Sequence, residues 1–298
     1  MVAVRQQVVT RDCWTEAEAL AAARDGFAAR LSNRRVAADA GRLSLITRTV
    51  ETQVIPRLLL ARRVVPAPNG LAGPALPART QQVDKLVRLV LAEELPAVSG
   101  FVDGLLGAGA PAEDLYLDLL APAARQLGDL WLADQCDFTE VTVGLWRLQH
   151  VLRDLGPAFH GNAEVRVPGP RALLVPLPGE HHTLGLMMVT DFFRRAGWSV
   201  WSGAVESSTD LASLVRGQSF ALIGFSVACG DRLEQVAAAI RAVRRASHNR
   251  AAGVMVGGPL FVAHPEFAAA VGADATAIDG RQAVLQAQTL LTFLTGQR

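Results

Sequence analysis

This sequence predicts an α/β domain with a doubly wound parallel sheet, preceded by a small bundle of helices. From residue 170 onward, short apolar runs alternate with amphipathic stretches, which is typical of parallel strands joined by crossover helices. Right-handed crossovers then give a flavodoxin-like sheet. Between residues 80 and 157, apolar residues instead recur every three or four positions, which predicts helices only.

The α/β segment is predicted to contain five strands and five helices. The strands are expected at 171–177, 198–202, 220–226, 252–257 and 274–278. The helices are expected at about 184–196, 208–217, 230–246, 262–271 and 280–295. Each strand is short and apolar, as expected for a sheet that is covered on both faces.

The upstream helical segment is predicted to form a bundle of about four helices. Its apolar runs extend over 83–95, 112–132 and 141–155. Gly107, Gly109 and Pro111 separate the first two runs, and Asp137 or Thr139 would cap the last helix.

Residues 1–79 are predicted to be an N-terminal helical extension followed by a linker. Thr15 and Glu18 have the spacing of a capping box, and helical periodicity continues over 42–63 with a kink at Pro56. Residues 65–77 are rich in proline and glycine, which indicates a linker. We therefore predict three parts: the extension at 1–79, a helical cap at 80–160 and the α/β domain at 168–298.

Composition narrows the class of protein. The net charge of the 298 residues is +1, so no strong overall field attracts nucleic acid or membranes. Three scattered cysteines are too few for a disulfide framework or a cysteine-based zinc site. Neither a signal peptide nor an uncharged apolar stretch of about 18 residues occurs, so we expect a cytoplasmic protein without a membrane span.

The loop after the first strand carries the strongest functional signal. It reads Glu180-His181-His182-Thr-Leu-Gly185 and lies at the carboxyl edge of the sheet, where ligands bind in this fold. A neutral imidazole at His182, oriented by a hydrogen bond to Glu180, would be a good ligand for a transition metal. Gly185 would let a planar ligand approach closely, and His181 is expected to face solvent.

Two further loops at the same edge supply candidate ligand contacts. The third strand ends at Ser226, whose hydroxyl could hydrogen-bond a ligand. The fourth strand is followed by Gly257 and Gly258, which indicate either a turn with positive φ or space left for a ligand.

Motifs of common enzymes are missing. The sequence contains no phosphate-binding Gly-x-x-x-x-Gly-Lys-Ser/Thr, no Gly-x-Gly-x-x-Gly after the first strand, no Gly-x-Ser-x-Gly and no His-Glu-x-x-His. A hydrolase or dehydrogenase therefore has little support, and we expect a protein that is not an enzyme.

The acidic-x-His-x-x-Gly pattern of Glu180, His182 and Gly185 resembles the cobalamin-binding module. This resemblance implies that His182 is the lower axial ligand of cobalt, that Ser226 bonds the nucleotide tail, and that Gly257 and Gly258 leave room for it. The family has Ser-x-Leu or Ser-x-Thr where this chain has Ser-Val-Ala at 226–228.

The helical segment around Trp131 resembles the cap that precedes cobalamin modules. In light-sensing members a tryptophan lies over the upper face of cobalt, and Trp131 matches it; a core tryptophan is the alternative. Light-sensing transcription factors of the MerR type carry Glu-His where this chain has Val141-Thr142. That departure argues against an upper histidine ligand.

Four stretches together resemble a narrower group, the cobalamin-binding antirepressors of photosynthetic purple bacteria of the AerR/PpaA type. They are 50–58, 131–149, 178–185 and 256–261, and the resemblance spans about residues 42–298. It implies a light- or redox-responsive transcriptional regulator that binds cobalamin and antagonises a repressor protein of photosynthesis genes. Relatives of the group include a haem-binding domain.

Several alternatives stay open at this point. Haem could occupy the same pocket with His182 as its axial ligand, or the chain could be the corrinoid protein of a methyltransferase system. Direct DNA contact is open because arginines cluster at 24–35, 57–63 and 241–245, although each cluster also fits a solvated helix face. An oligomer is equally compatible with the sequence.

Overall fold

The computed structural model describes residues 76–92, 94–161, 169–228 and 232–296. The predicted helices of the N-terminal extension and nearly all of its linker lie outside these residues. None of the helices in the described chain is long and apolar enough to cross a membrane.

The bundle consists of four helical stretches. They are α1 (Leu76–Ala92), α2 (Leu95–Gly107), a third stretch made of α3 (Ala112–Asp114), a π-helical segment (Leu115–Leu120) and α4 (Ala121–Leu132), and α5 (Phe138–His160). Asp137 rather than Thr139 caps α5, because its carboxylate accepts from the Glu140 N–H at 2.8 Å while Glu140 accepts from the Asp137 N–H.

Two boundaries in the bundle differ from the prediction. The helix α1 begins at Leu76, so the last two residues of the predicted linker are helical. The apolar run 83–95 is not one helix, because α1 ends at Ala92 and α2 begins at Leu95. Pro96, in the first turn of α2, lacks an N–H and would break a helix that continued through it.

The α/β domain alternates strands and helices as predicted. In chain order the elements are β1 (Arg171–Pro176), α6 (Leu184–Arg195), β2 (Ser199–Ser202), α7 (Ser208–Gly217), β3 (Leu222–Ser226), α8 (Leu233–Ala246), β4 (Gly253–Gly257), α9 (Pro259–Ala263), α10 (Glu266–Val271), β5 (Ala275–Thr276) and α11 (Gly280–Gly296). The predicted helix at 262–271 is two short helices, and the predicted strand at 274–278 is only two residues long.

The sheet is entirely parallel with strand order β2-β1-β3-β4-β5. This order confirms the predicted flavodoxin-like doubly wound sheet. Its topological switch point lies between β1 and β3, where Pro176 pairs with Ser226 at the carboxyl edge. Ser226 in turn pairs with Gly257 on β4, so the ends of the three central strands are adjacent.

Successive residues of the central strands enter two different cores. Leu173 and Val175 pack on one face with apolar residues of α7, α8 and α10. Ala172 and Leu174 pack on the other face, in a core that also contains α6, α11 and the bundle. The bundle therefore does not have a separate core, and it packs onto one face of the α/β domain through α6.

Tyr116 lies at the centre of this contact and is fully buried. Its ring stacks on Phe159 with a centroid distance of 4.1 Å, and its hydroxyl donates to Asp191 Oδ2 of α6 at 3.0 Å. Burial first, and then the charge and hydrogen bond of Asp191, raise the pKa of Tyr116 far above its ordinary value.

We expect Tyr116 to resist ionisation in the native protein. It is the only tyrosine of the chain, so phenolate absorbance reports this residue alone. Because its pKa is raised on folding, its contribution to stability is complete below about pH 10 and is lost as the pH rises beyond that value. An alkaline absorbance titration should show no phenolate before unfolding, and ordinary titration in denaturant. A phenolate that forms while the circular dichroism is still native would contradict the burial.

Candidate functional site

The loop between β1 and α6 is held close to the end of the sheet. Leu177 continues the pairing of β1, since its N–H donates to Ser226 O at 3.1 Å. Gly179 follows with φ of +83°, and the Glu180 N–H donates back to Leu177 O at 2.8 Å. This turn directs the Glu180 side chain inward, and α6 begins at Leu184.

Glu180 and His182 form a hydrogen-bonded pair in this loop. His182 Nδ1 lies 2.5 Å from Glu180 Oε1, which also accepts the backbone N–H groups of His181 at 2.9 Å and His182 at 3.2 Å. The Glu180 side chain is only 3% exposed, whereas that of His182 is 39% exposed. A buried carboxylate thus orients an imidazole that lies at the surface.

The hydrogen bonds keep Glu180 ionised. Burial alone would raise the pKa of its carboxyl, but the side-chain bond from His182 and the N–H of Ala228 outweigh burial and lower the pKa to about 2. An ionised carboxylate only accepts hydrogen bonds, so Nδ1 of His182 carries the hydrogen. Nε2 is therefore the nitrogen with which His182 would bind a metal.

The loop after β3 shares the same carboxylate. The Ala228 N–H donates to Glu180 Oε2 at 2.9 Å, so one carboxylate joins the loops after two neighbouring strands. This donor is not predictable from sequence, because a backbone N–H can belong to almost any residue. The departure from Ser-x-Leu at Ala228 leaves this backbone contact possible, since no side chain takes part in it.

The histidine loop is also anchored from the start of α8. Gln235 Nε2 donates to Pro178 O at 3.1 Å, and Arg232 approaches the same oxygen at 3.5 Å. Neither residue was predicted. Both lie beyond the third strand, and only the strand order shows that they reach the loop after the first.

We expect Glu180→Gln to lower the free energy of unfolding by about 2 kcal/mol, the usual cost of losing hydrogen bonds to a buried charge. An amide can accept on one side only, so its NH₂ group would face either the His182 Nδ1–H or the Ala228 N–H. Urea denaturation would measure the change. Glu206→Gln is the matched control, because Glu206 is exposed and has no hydrogen bond within the described chain. Equal stability of the two variants would contradict this role of Glu180.

The two glycines at the end of β4 differ in whether the fold requires them. A Cβ on Gly258 would lie 2.3 Å from Val227 O, and its φ is +106°, so the fold itself requires glycine there. A Cβ on Gly257 or on Gly185 would meet no atom within 4 Å. The packing of the chain therefore does not explain these two glycines, and both positions leave open space.

Ser226 and Trp131 lie in different parts of the molecule. Ser226 ends β3 next to Gly257, and its side chain is half-buried at the sheet edge. Trp131 is half-buried near the end of α4 and belongs to neither hydrophobic core, which does not support the alternative of a core tryptophan. The structure brings Glu180, His182, Ser226 and the glycine pair together at one edge, and the role of Trp131 stays a prediction.

The arrangement at this edge suits a metal ion that is already coordinated by most of its ligands before it binds the protein. In the described chain no group of three or more His, Cys, Asp or Glu side chains could hold a bare ion. One oriented imidazole is nevertheless a complete axial ligand for a metal in a flat macrocycle. Gly185, in the first turn of α6, and Gly257, at the end of β4, leave open positions at the same edge.

Comparison with known proteins agrees with this geometry. The family model described as the B12 binding domain matches residues 170–287. A solved structure, the monomethylamine corrinoid protein of Methanosarcina barkeri, is 18% identical with a TM-score of 0.57, over 71% of this chain and 99% of that chain. At this identity the likeness shows the fold alone.

A closer relative comes from Rhodobacter capsulatus. It is described as "Uncharacterized 20.5 kDa protein in bchF-crtJ intergenic region" and is 31% identical over 172 residues, which are 58% of this chain and 89% of that protein. This chain therefore belongs to the same family as the Rhodobacter capsulatus protein, and residues 170–287 form its B12 binding domain.

Proposed function

We propose that this protein binds cobalamin through His182 and acts as a non-enzymatic, light- or redox-responsive regulator that antagonises a repressor of photosynthesis genes. One observation carries the binding part. A buried, ionised Glu180 orients an exposed His182 at the carboxyl edge of a B12 binding domain. The regulatory part is supported by the resemblance to the AerR/PpaA antirepressors and by the Rhodobacter capsulatus relative, which is described as lying in the bchF-crtJ intergenic region.

Each residue of the edge has a specific task in this proposal. His182 would bind cobalt through Nε2, and Glu180 makes that nitrogen more basic by accepting from Nδ1. Ser226 and Gly257 would accommodate the nucleotide tail, while Trp131 would cover the upper face. Bound cobalamin would supply a cobalt centre that responds to light or to a change of redox state. The bundle would respond by shifting against the α/β domain and so change the surface shown to a partner.

The corrinoid protein of a methyltransferase system is the second candidate. The fold shared with the monomethylamine corrinoid protein over 71% of this chain favours it. Both candidates bind cobalamin. They differ in whether a methyl group is carried between partner enzymes, and a methyl-transfer assay with a partner methyltransferase separates them.

Absorption spectroscopy tests the proposed function. We expect the purified full chain to shift the visible bands of hydroxocobalamin, and we expect illumination or reduction to change the spectrum of the complex. The same preparation should relieve binding of the repressor to its operator DNA only with cobalamin present. Unchanged cobalamin bands, or a sharp Soret band with haemin instead, would refute cobalamin binding. Methyl transfer without any effect on the repressor would refute the regulatory role.

A further inference from the structure

We propose that Asp191 positions the histidine loop for ligand binding by connecting it to the helical bundle through Tyr116 and His160. The proposal rests on the proposed function and names how the bundle and the His182 site influence each other. Tyr116 comes from the π-helical segment of the bundle, His160 from the end of α5, and Asp191 from α6. Three elements thus meet at one carboxylate.

The helix α6 links the Asp191 carboxylate directly to the histidine loop, the loop between β1 and α6 that contains His182. It begins two residues after His182, and its first turn is fixed to the loop because the Met187 N–H donates to Thr183 O at 2.9 Å. Asp191 lies seven residues after Leu184, about 10 Å along the helix axis. An α-helix of this length moves as a rigid body, so a displacement at Asp191 also displaces the start of α6.

The contact at Asp191 is polar, buried and directional. Its side chain is 14% exposed and accepts from the Tyr116 hydroxyl at 3.0 Å, and that hydroxyl also lies 3.3 Å from Leu152 O. Around it, Phe159 of the bundle meets Phe192 of α6 edge-on at 4.9 Å. Apolar packing alone tolerates small sliding, whereas a buried hydrogen bond between fixed partners allows one relative position of bundle and α6.

One group in this contact lacks its hydrogen bond. His160 Nε2 is buried 3.3 Å from Asp191 Oδ1 but has no hydrogen-bond partner within the described residues. Buried polar atoms without a partner are rare in folded proteins. A small movement of α5 against α6 would complete this bond, so the polar contact at Asp191 is sensitive to the position of the bundle.

The π-helical segment places Tyr116 at this position. The Ala121 N–H donates to Tyr116 O, five residues back, which inserts one extra residue into the helical turn. Such segments are rare and occur frequently at functional sites. At the periphery, Glu113 accepts from Arg195 of α6 at 3.3 Å and also bonds Arg281, so the same face of the bundle makes further polar contacts with the α/β domain.

The single tyrosine allows a direct test in the unaltered protein. In full-length chain labelled with ¹³C at the phenol carbon of tyrosine, the only signal is that of Tyr116. We expect this signal to shift when hydroxocobalamin binds to the wild-type chain. We expect no shift in His182→Ala, even at a hydroxocobalamin concentration that saturates this variant. Cobalamin binding shown by absorbance with an unmoved tyrosine signal would overturn the inference and leave the proposed function intact. Absence of cobalamin binding would refute both.

Affinity measurements on two variants provide the second test. Tyr116→Phe keeps the ring stack and removes only the hydroxyl, and Asp191→Asn removes the charge. We expect each to weaken cobalamin binding by about fivefold, the lower end of usual coupling between two sites, and to alter the spectrum of the saturated complex. The control is Asp118→Asn, which breaks an ion pair with Arg79 inside the bundle. Equal effects of control and test variants, or unchanged affinity in all three, would overturn the inference.

Discussion

His182→Ala should abolish the spectral signature of bound cobalamin and weaken its binding by about a hundredfold or more. Substituting a residue that only orients a metal ligand typically lowers metal affinity ten- to hundredfold, and loss of the ligand itself lowers the affinity at least as much. The free energy of unfolding should also fall, by about 1–2 kcal/mol, because the buried Glu180 carboxylate loses the hydrogen bond from Nδ1 but keeps its three backbone N–H donors. Titration of hydroxocobalamin against the purified variant, followed by visible absorbance, measures both the signature and the affinity.

His181→Ala is the matched control for this substitution. The neighbouring imidazole is exposed, and its backbone N–H, which bonds Glu180 Oε1 at 2.9 Å, is kept by alanine. We therefore expect wild-type spectra and affinity. If His181→Ala loses the signature while His182→Ala retains it, the ligand is assigned to the wrong imidazole. If both retain it, cobalamin binds without a histidine from this loop.

The fold was predictable because its signals are local and repeated. Five apolar runs separated by helical stretches leave few topologies once right-handed crossovers are required, and the observed strand order is the expected one. The predicted element boundaries are wrong where the local sequence signals are weak. The last strand is two residues long, and the break before α2 depends on Pro96, which directly follows an apolar pattern that keeps helical spacing as far as Leu95.

The candidate site was predictable only in part, for a related reason. Glu180 and His182 are two residues apart, so a hydrogen bond between them can be expected from sequence. The Ala228 N–H reaches Glu180 across 48 residues, and Tyr116 reaches Asp191 across 75. A backbone donor has no residue type to recognise, and a contact between bundle and sheet depends on how two units pack.

Substitutions of the two glycines at the end of β4, Gly257 and Gly258, should separate effects on ligand binding from effects on folding. Gly258→Ala should destabilise the protein by about 3 kcal/mol, because alanine is strained at φ of +106° and its Cβ would lie 2.3 Å from Val227 O. Gly257→Ala should leave the free energy of unfolding within about 0.5 kcal/mol of the wild-type value, since its Cβ meets no atom within 4 Å.

The methyl group of Gly257→Ala would occupy space that the proposal assigns to the nucleotide tail, and we expect it to weaken cobalamin binding by about tenfold, or 1.4 kcal/mol. Gly257→Val, which suits a strand, should weaken binding further. Urea denaturation and cobalamin titration on the three variants measure both quantities, and unchanged affinity in Gly257→Val would place the tail elsewhere on the sheet edge.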